Sequence, residues 1–409
     1  MTFHTPFSVF GTTLDLMIVD TDTLAPKPLA AALMADFGAV NRHFLSRGMF
    51  NWKSRPQPHM IRLQSAEPLL NLNALDHGLA DEVQVINEFL RKLNARLMPG
   101  GVHPWASPDD LQYDQTTSGH RFFSRHFDCR GHGWRNACSA YLDMPFTDDD
   151  TFTRLHAAVR VVLPLIPALT ASSPILQGKT TGWLSHRFEL DTERFRQHPE
   201  VCGKLIPEPV FTERRYRETI LAELESVFRM PEGARGEPVS AERINRRGAV
   251  PFFSDRFLRI RIGDPQECPA ADMAVFKLII EAVRAQVNER FTTFEEQMGA
   301  PMGDLVGILR DAAVGGMKAE VISSGYLSFF GMDGPATIGD IWKNLFDLLS
   351  RDPVKPLAMY EHELSVILEQ GALADRILTV LGDNPAHDEI RAMWVRLCDC
   401  LEQNRLLIL

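Results

Sequence analysis

The chain has 409 residues, of which 45% are hydrophobic and 23% charged, and its formal net charge is -10. This composition is ordinary for a soluble globular protein with a large core. The acidic balance argues against proteins that work on nucleic acid or anionic membranes, because both reward basic surfaces.

The N-terminus and the cysteine usage indicate a cytoplasmic protein. The first residues, MTFHTPFSVF, lack a basic segment followed by an apolar one, so no export signal is predicted. The most apolar stretch, residues 159–171, contains Arg160, Pro164 and Pro167 and is too short to span a bilayer. Six cysteines in a chain of this length do not suggest a disulfide framework, and we expect free thiols.

The hydrophobic pattern predicts strands and helices interspersed along the first part of the chain. Alternation predicts strands at residues 8–20, 136–144 and 257–262, and helical spacing predicts helices at residues 28–37, 81–97, 150–169 and from Asp272 onward. Residues 51–78, with Pro56, Pro58 and Pro68, have no clear assignment. From about residue 291 the pattern is helical to the end, with breaks at residues 299–303, 331–335, 352–356 and 383–385.

These elements predict an α+β fold, in which helices cover one face of an antiparallel sheet and the other face forms an open funnel. We expect a sheet-and-helix domain over residues 1–290 and a helical C-terminal region packed on it over residues 291–409.

In three strands the period of two separates an apolar face from a polar one. The core face is predicted to hold apolar side chains, namely Leu14, Leu16, Ile18, Ala140, Leu142, Met144, Leu258, Ile260 and Ile262. The opposite face is predicted to hold polar and charged side chains, namely Thr13, Asp15, Ser139, Tyr141, Asp143, Arg259 and Arg261. By itself this pattern favours a solvated sheet face with ordinary charge pairs.

Several long segments resemble one enzyme family. They are GTTLDLMIVDTDTL, LMPGGVHPW, FDCRGHGW, the stretch at residues 151–190 that ends in LSHRFEL, GKLIPEPVFT and DPQECPAADMAV. In this order they are similar to family 2 glutamate–cysteine ligases and related carboxylate–amine ligases, from about Gly11 to Asn288. The resemblance implies a glutamine-synthetase-like α+β fold.

The resemblance also implies an activity. Such ligases form an amide on the γ-carboxylate of glutamate through an acyl phosphate, with ATP and magnesium ions in a funnel on the sheet face. Magnesium prefers oxygen ligands, so carboxylates gather around it, and arginines hold the substrate carboxylate and the phosphate. ATP and magnesium are therefore the cofactors that the resemblance implies.

At several funnel positions this sequence departs from the family. The positions that match family metal or ATP sites hold Thr13, Asp15, Cys138, Tyr141, Asp143 and Arg259, where the family has two glutamates, then glutamine, histidine and asparagine, then glutamate. Only Asp15 and Asp143 are left as metal ligands, if a metal binds. Arg187 and Arg261 are retained, and the resemblance implies that they hold a substrate carboxylate or phosphate. Arg187 has an alternative role in pairing with Glu189 or Asp191.

We therefore predict a degenerate homologue that acts as a non-catalytic binding or partner subunit. It keeps a funnel for a small carboxylate and pairs with itself or with an active ligase, and no catalytic residue is assigned. The alternative is an active ATP-dependent carboxylate–amine ligase with a reduced metal site. Because Arg259 carries its own positive charge, we also predict that it fills the metal position and pairs with Asp15, Asp143 or both. The alternative is that Arg259 points to solvent. Cys138 is either a small buried thiol or a reactive one.

Overall fold

The computed structural model describes residues 4–39, 43–229 and 239–409. The strands are β1 Gly11–Asp20, β2 Phe44–Arg47, β3 Phe50–Ser54, β4 Met60–Ser65, β5 Ala95–Met98, β6 Ala140–Pro145, β7 Ile175–Leu176, β8 Lys179–Thr180, β9 Ala249–Phe252, β10 Phe257–Gly263, β11 Glu320–Val321 and β12 Ala336–Thr337.

The α-helices alternate with these strands in the first part of the chain and dominate the last part. They are α1 Ala30–Asp36, α2 Leu72–Arg91, α3 Ser118–His126, α4 His132–Arg135, α5 Asp149–Val162, α6 Ile166–Thr170, α7 His186–Glu193, α8 Pro199–Cys202, α9 Glu213–Tyr216, α10 Ala222–Val227, α11 Ala241–Ile244, α12 Pro269–Val287, α13 Phe294–Met298, α14 Met302–Gly315, α15 Ser324–Leu327, α16 Ile338–Ser350, α17 Glu361–Gln370, α18 Leu373–Leu381 and α19 His387–Gln403.

Eight of the strands form one antiparallel sheet in the order β2-β3-β4-β1-β6-β10-β9, with β5 also pairing with β1. The predicted α+β class with an antiparallel sheet is confirmed. β1 lies between β4 and β6, so its side chains have cross-strand neighbours on both sides. This central position brings together residues that are far apart in the sequence.

The predicted apolar face of the sheet is confirmed. Leu16, Leu142 and Ile260 belong to one large core, which includes residues of α2, α5 and α12. Burial of such aliphatic side chains contributes about 1.5–3 kcal/mol each, so this face drives the packing of the helices. Leu305 of the predicted C-terminal region belongs to the same core, and the predicted boundary near residue 290 stays a prediction.

The opposite face of the sheet is not open along its whole length. At one end of this face Met17, Met60 and Met98 pack against helices α18 and α19 in a second core, which includes Trp394 and Leu397. These methionines are apolar although they lie on the face predicted to be polar, so burial under the last helices is favourable. The polar positions of β1 are themselves buried, with Asp15 0% and Thr13 1% exposed.

Element boundaries differ from the predictions in several places, among them residues 81–97, where α2 ends at Arg91 and β5 begins at Ala95. Residues 51–78 contain most of β3, all of β4 and the start of α2, whose N-cap is the side chain of Asn71. Helix α12 begins at Pro269, and the side chain of Asp272 accepts a hydrogen bond from the Gln266 amide instead of capping the helix. Within the predicted helix at residues 150–169, a 3₁₀ turn at Leu163–Leu165 contains Pro164 and separates α5 from α6.

By length and composition, one helical segment of the described chain, Asp149–Thr170, passes the criteria for a membrane span. However, 89% of its most apolar 18-residue stretch is buried inside the protein, as in the core helix of a globular fold. This statement concerns residues 4–39, 43–229 and 239–409.

Candidate functional site

Four neighbouring strands, β4, β1, β6 and β10, place charged side chains on the same region of the second sheet face. In the strand register Asp15 lies opposite Arg62, Thr13 opposite Tyr141, and Asp143 opposite Arg259. Directly opposite residues in an antiparallel pair have side chains within contact distance, so this register forms the site. Five of these six residues were predicted funnel positions, and Arg62 was not predicted.

Asp15 is held by arginines. Its two carboxylate oxygens accept hydrogen bonds from Nε and Nη2 of Arg62 at 2.7 and 2.8 Å, and Nε of Arg55 lies 3.7 Å away. The Ser139 amide donates to the same carboxylate at 3.3 Å. Burial alone would raise the pKa of Asp15, but Arg55 and Arg62 outweigh it and the pKa is lowered. Asp15 is therefore an ionised carboxylate whose oxygens are occupied by the protein.

Asp143 is held in the same way by Arg259, whose Nε and Nη2 donate to its two oxygens at 2.7 and 2.6 Å. The predicted pairing of Arg259 is thus confirmed for Asp143, whereas Asp15 is paired with Arg62 instead. The Arg259 guanidinium also lies 5.2 Å from the ring centres of both Phe252 and Phe257. Cation–π contact and a bidentate ion pair together fix its orientation.

Tyr141 lies at the centre of the arginine side chains. The guanidinium carbons of Arg261, Arg62 and Arg259 are 4.8, 5.1 and 5.5 Å from its ring centre. Nη2 of Arg261 donates to the phenol oxygen at 3.3 Å. The register of β10 against β6 shifts between Ile260 and Gly263, so two residues of β10 lie opposite Tyr141. A bulge of this kind re-aims side chains, which brings Arg261 to the phenol.

The positive surroundings change the acidity of Tyr141. Burial would raise the pKa of its phenol, but Arg261, Arg62 and Arg55 stabilise the phenolate, and the pKa falls well below the ordinary value of 10.0. Arg246 experiences the same surplus of positive charge, because burial and the neighbouring Arg261 lower its pKa. Guanidinium groups remain protonated in proteins, so of Tyr141 and Arg246 it is Tyr141 that titrates.

A small cavity of about 20 Å³ opens beside Tyr141. Its walls are formed by the phenol, two phenylalanines, two aliphatic residues, a glycine and charged groups, among them Asp191, Arg194, Arg246 and Arg261. Arg194 is paired with Asp191 at 2.5 Å. Within the part of the chain that the structure describes, no carboxylate lies within 4.0 Å of the nitrogens of Arg246 or Arg261.

A second cavity, of about 150 Å³, has Asp143 among its lining residues. Its lining carries both signs of charge, with Glu67, Asp143 and Asp255 beside Arg256. Of the two cavities, only the smaller one has a lining in which positive groups predominate.

Arg187 is fully buried behind the small cavity and makes four contacts with protein acceptors. Its Nε donates to Asp264 at 2.7 Å, its Nη1 to Asp191 at 2.6 Å, and its Nη2 to the carbonyl oxygens of Ile262 and Gly263 at 2.8 and 3.0 Å. The alternative pairing with Asp191 is therefore observed. Asp191 lines the cavity, so Arg187 contacts the cavity wall through this residue. Contact of Arg187 with a ligand stays a prediction.

Two further predicted positions are Thr13, which lies opposite Tyr141 in the strand register, and Cys138, which belongs to the second core. The thiol of Cys138 is buried against Met60 in the second core, with its sulfur 4.0 Å from the thioether, and burial raises its pKa well above the ordinary range. Such a thiol is a packing residue rather than a reactive one. The hydroxyl of Thr13 is buried and has no hydrogen-bond partner among the residues that the structure describes.

The residues present do not fit a magnesium site. Magnesium requires several free oxygen ligands, but both oxygens of Asp15 and of Asp143 already accept guanidinium donors. In the described ranges no group of three or more His, Cys, Asp or Glu side chains is arranged to hold a metal ion. The weak metal assignment to Asp15 and Asp143 is therefore not supported by their geometry.

Several residues of the site were not predicted. They are Arg55, Arg62, Asp191, Arg194 and Arg246. For Arg62 the sequence did contain a signal, because Met60, Ile61 and Leu63 surround it in a strand with period-two polarity at Arg62 and Gln64. The other four lie outside strands, where no local pattern indicates their tertiary neighbours.

Comparison with known proteins supports the ancestry indicated by the sequence. Residues 10–298 match glutamate-cysteine ligase family 2 (GCS2), which is more than half of the chain. The chain belongs to this family. An uncharacterized protein from Archaeoglobus fulgidus is 25% identical over 396 residues, covering 95% of this chain and 97% of the relative.

Two solved ligases have a fold similar to that of this chain. Glutamate–cysteine ligase from Francisella tularensis, in complex with AMP, has a TM-score of 0.61 at 10% identity, covering 99% of this chain and 90% of that one. A bifunctional glutathione synthetase from Pasteurella multocida has a TM-score of 0.60 at 12% identity, covering 97% of this chain and 52% of that one. At these identities the likeness concerns the fold alone.

Proposed function

We propose that this family 2 protein is a non-catalytic binding protein that holds a small carboxylate beside Tyr141 without magnesium. A carboxylate group of the ligand would contact Arg246 and Arg261 where they line the small cavity. Arg187 would act indirectly, by holding Asp191 and the backbone of β10 in place.

The observation that carries this proposal is a difference between the arginines of the site, since only some of them have a carboxylate partner. Arg62 and Arg259 each have a carboxylate partner, whereas Arg246 and Arg261, both lining the cavity, have none within 4.0 Å among the described residues. Leaving a partly buried charge without a partner costs free energy, and a ligand carboxylate would supply the missing acceptors. A carboxylate also matches the planar fork of a guanidinium.

A calorimetric titration tests carboxylate binding. In buffer with EDTA, glutarate should bind the unaltered protein, and Arg261→Gln or Arg246→Gln should weaken binding by about tenfold or more, since a charged hydrogen bond contributes about 1.5–3 kcal/mol. Arg130→Gln is the matched control, because Arg130 is an exposed arginine paired with Asp128. If glutarate fails to bind, or if all three variants bind it equally, the proposal is wrong.

A ligase assay tests the absence of catalysis. Incubation with glutamate, cysteine, ATP and magnesium should produce no γ-glutamylcysteine at a useful rate, because Asp15 and Asp143 are engaged by arginines and Arg259 would repel the metal. Loss of a single electrostatic group typically lowers the rate by about a hundred- to a thousand-fold. Turnover on the order of one per second, an ordinary enzyme rate, would instead support the active-ligase alternative.

A further inference from the structure

The site contains more positive than negative groups. Six arginines surround Tyr141, and we call Arg55, Arg62, Arg194, Arg246, Arg259 and Arg261 the arginine cluster. Three carboxylates face this cluster, those of Asp15, Asp143 and Asp191. The positive groups therefore outnumber the negative ones by three when Tyr141 is neutral and by two when it is ionised.

Lys53 adds to this surplus below about pH 8. It lies on β3 opposite Arg62, and its amine donates to Gln64 at 2.8 Å. Burial, with Arg62 and Arg259 nearby, lowers the pKa of Lys53 to about 8. Burial has the largest effect on this pKa, and the two arginines lower it further against the opposing effect of Asp143.

Two members of the arginine cluster are held rigidly. Arg62 and Arg259 are locked by bidentate pairs, and their side chains are only 16% and 12% exposed. Nη1 of Arg259 donates to no acceptor in the described chain, so it remains available to a ligand. A guanidinium fixed in this way supplies positive charge without the reorganisation that a free side chain would need.

We propose that the arginine cluster binds a compact ligand with two or more acidic groups, and that its fixed guanidinium groups take the place of a divalent cation. This inference rests on the proposed function and adds the charge of the ligand to it. A monocarboxylate would balance only one of the surplus charges, whereas a dicarboxylate, a tricarboxylate or a phosphorylated acid would balance two or three. A divalent cation would be repelled by the same surplus.

A series of anions tests the charge of the ligand. Acetate, glutarate, citrate and inorganic pyrophosphate are titrated into the protein in EDTA, at low and at physiological salt. Affinity should rise with the number of charges and fall with salt. Added magnesium should weaken citrate and pyrophosphate binding, because it withdraws the free anion and gains nothing at the site. Preference for citrate over pyrophosphate, or the reverse, distinguishes carboxylate from phosphate ligands.

The substitution Arg259→Glu tests the role of the fixed cation. It places a carboxylate directly opposite Asp143 in the β6–β10 register, where the two acids can share a cation. The variant should lose about tenfold or more in citrate affinity. It should also be less stable than the parent in EDTA and gain melting temperature when magnesium is added. Arg130→Glu replaces the exposed arginine that pairs with Asp128 and makes the same charge change away from the site. It should change neither ligand binding nor metal binding.

The outcomes separate this inference from the proposed function. If no carboxylate binds the unaltered protein, both are wrong. If acetate binds as tightly as citrate, or if magnesium strengthens anion binding, only the polyanion inference is wrong. Should Arg259→Glu not fold, Arg259→Gln removes the cation without adding an acid; citrate affinity equal to that of the parent would then overturn the inference.

Discussion

In a spectrophotometric pH titration, one of the five tyrosines should ionise well below pH 10.0. We assign it to Tyr141, because Arg261, Arg62 and Arg55 stabilise its phenolate against the opposing effect of burial. The pKa of each remaining tyrosine is raised, first of all by burial, at Tyr113, Tyr216, Tyr326 and Tyr360. Tyrosinate absorbance at moderately alkaline pH therefore reports on Tyr141 alone.

The shift at Tyr141 also has a consequence for stability. Its pKa is lower in the folded chain than in the unfolded chain, so the unfolded state binds more protons between the two values. The contribution of Tyr141 is complete above the unfolded pKa of about 10 and is lost as the pH falls through the folded pKa. The free energy of unfolding of the parent, relative to Tyr141→Phe, should thus rise with pH over this window.

The charged groups that face Tyr141 should not imitate this behaviour. Asp15 and Asp191 have lowered pKa values and stay ionised, and the guanidinium groups of the arginine cluster stay protonated. Lys53, whose pKa is about 8, titrates in both the parent and the variant, so the comparison cancels its contribution. An early tyrosinate signal that persists in Tyr141→Phe, or a parent protein that shows none, would contradict the assignment.

Breaking the buried ion pair between Glu267 and Arg376 should destabilise the protein by about 3–5 kcal/mol, because one charge would be left buried without a partner. Both side chains are 0% exposed and their charged atoms are 2.5 Å apart. The pair also fixes the backbone at Leu407. Arg376 donates to the Leu407 carbonyl at 2.6 Å, and Glu267 accepts from the Leu407 amide at 3.1 Å. Urea unfolding of Glu267→Gln and Arg376→Met measures the loss.

A surface pair gives the matched control for this experiment. Arg154 and Glu289 are 2.9 Å apart, but both side chains are 38% exposed, so Arg154→Met should cost about 1 kcal/mol or less. Replacing both Glu267 and Arg376 by methionine should cost less than the sum of the two single changes, because no unpaired charge remains. Single variants no less stable than Arg154→Met would show that the buried pair is not required.

Local patterns were sufficient for much of the fold. The alternation in residues 8–20 predicted β1 and its core face, and the same rule assigned Leu142 and Ile260 correctly. Residues 51–78 remained unassigned because prolines interrupt a region that changes from strand to helix, and β4 was missed there. Without β4 the partner of Asp15 could not be named.

Within the candidate site, the sequence predicted the ion pair whose two residues lie on neighbouring strands, but not the contacts that loops and helices contribute. Asp143 and Arg259 both lie on strands that the sequence indicated, and their opposite charges together with the family resemblance predicted that Arg259 pairs with Asp15, Asp143 or both. Arg246 belongs to a loop after α11 and Asp191 to α7, and their arrival beside Tyr141 depends on packing across the whole domain. Side-chain polarity indicates that such residues lie near water, but it does not indicate which other residues they meet.

By itself the sequence determined the fold class, the apolar face of the sheet and the loss of acidic residues at the funnel positions of family 2. The first two depend on periodicity and on residue type, which are present in local stretches of chain, and the third depends on the family resemblance. Only the tertiary structure decided that Arg62 rather than Arg259 neutralises Asp15, and that Arg246 and Arg261 are left without carboxylate partners. The physical reason is register: Asp15 and Arg62 are 47 residues apart, and the antiparallel pairing of β1 with β4 places them opposite each other.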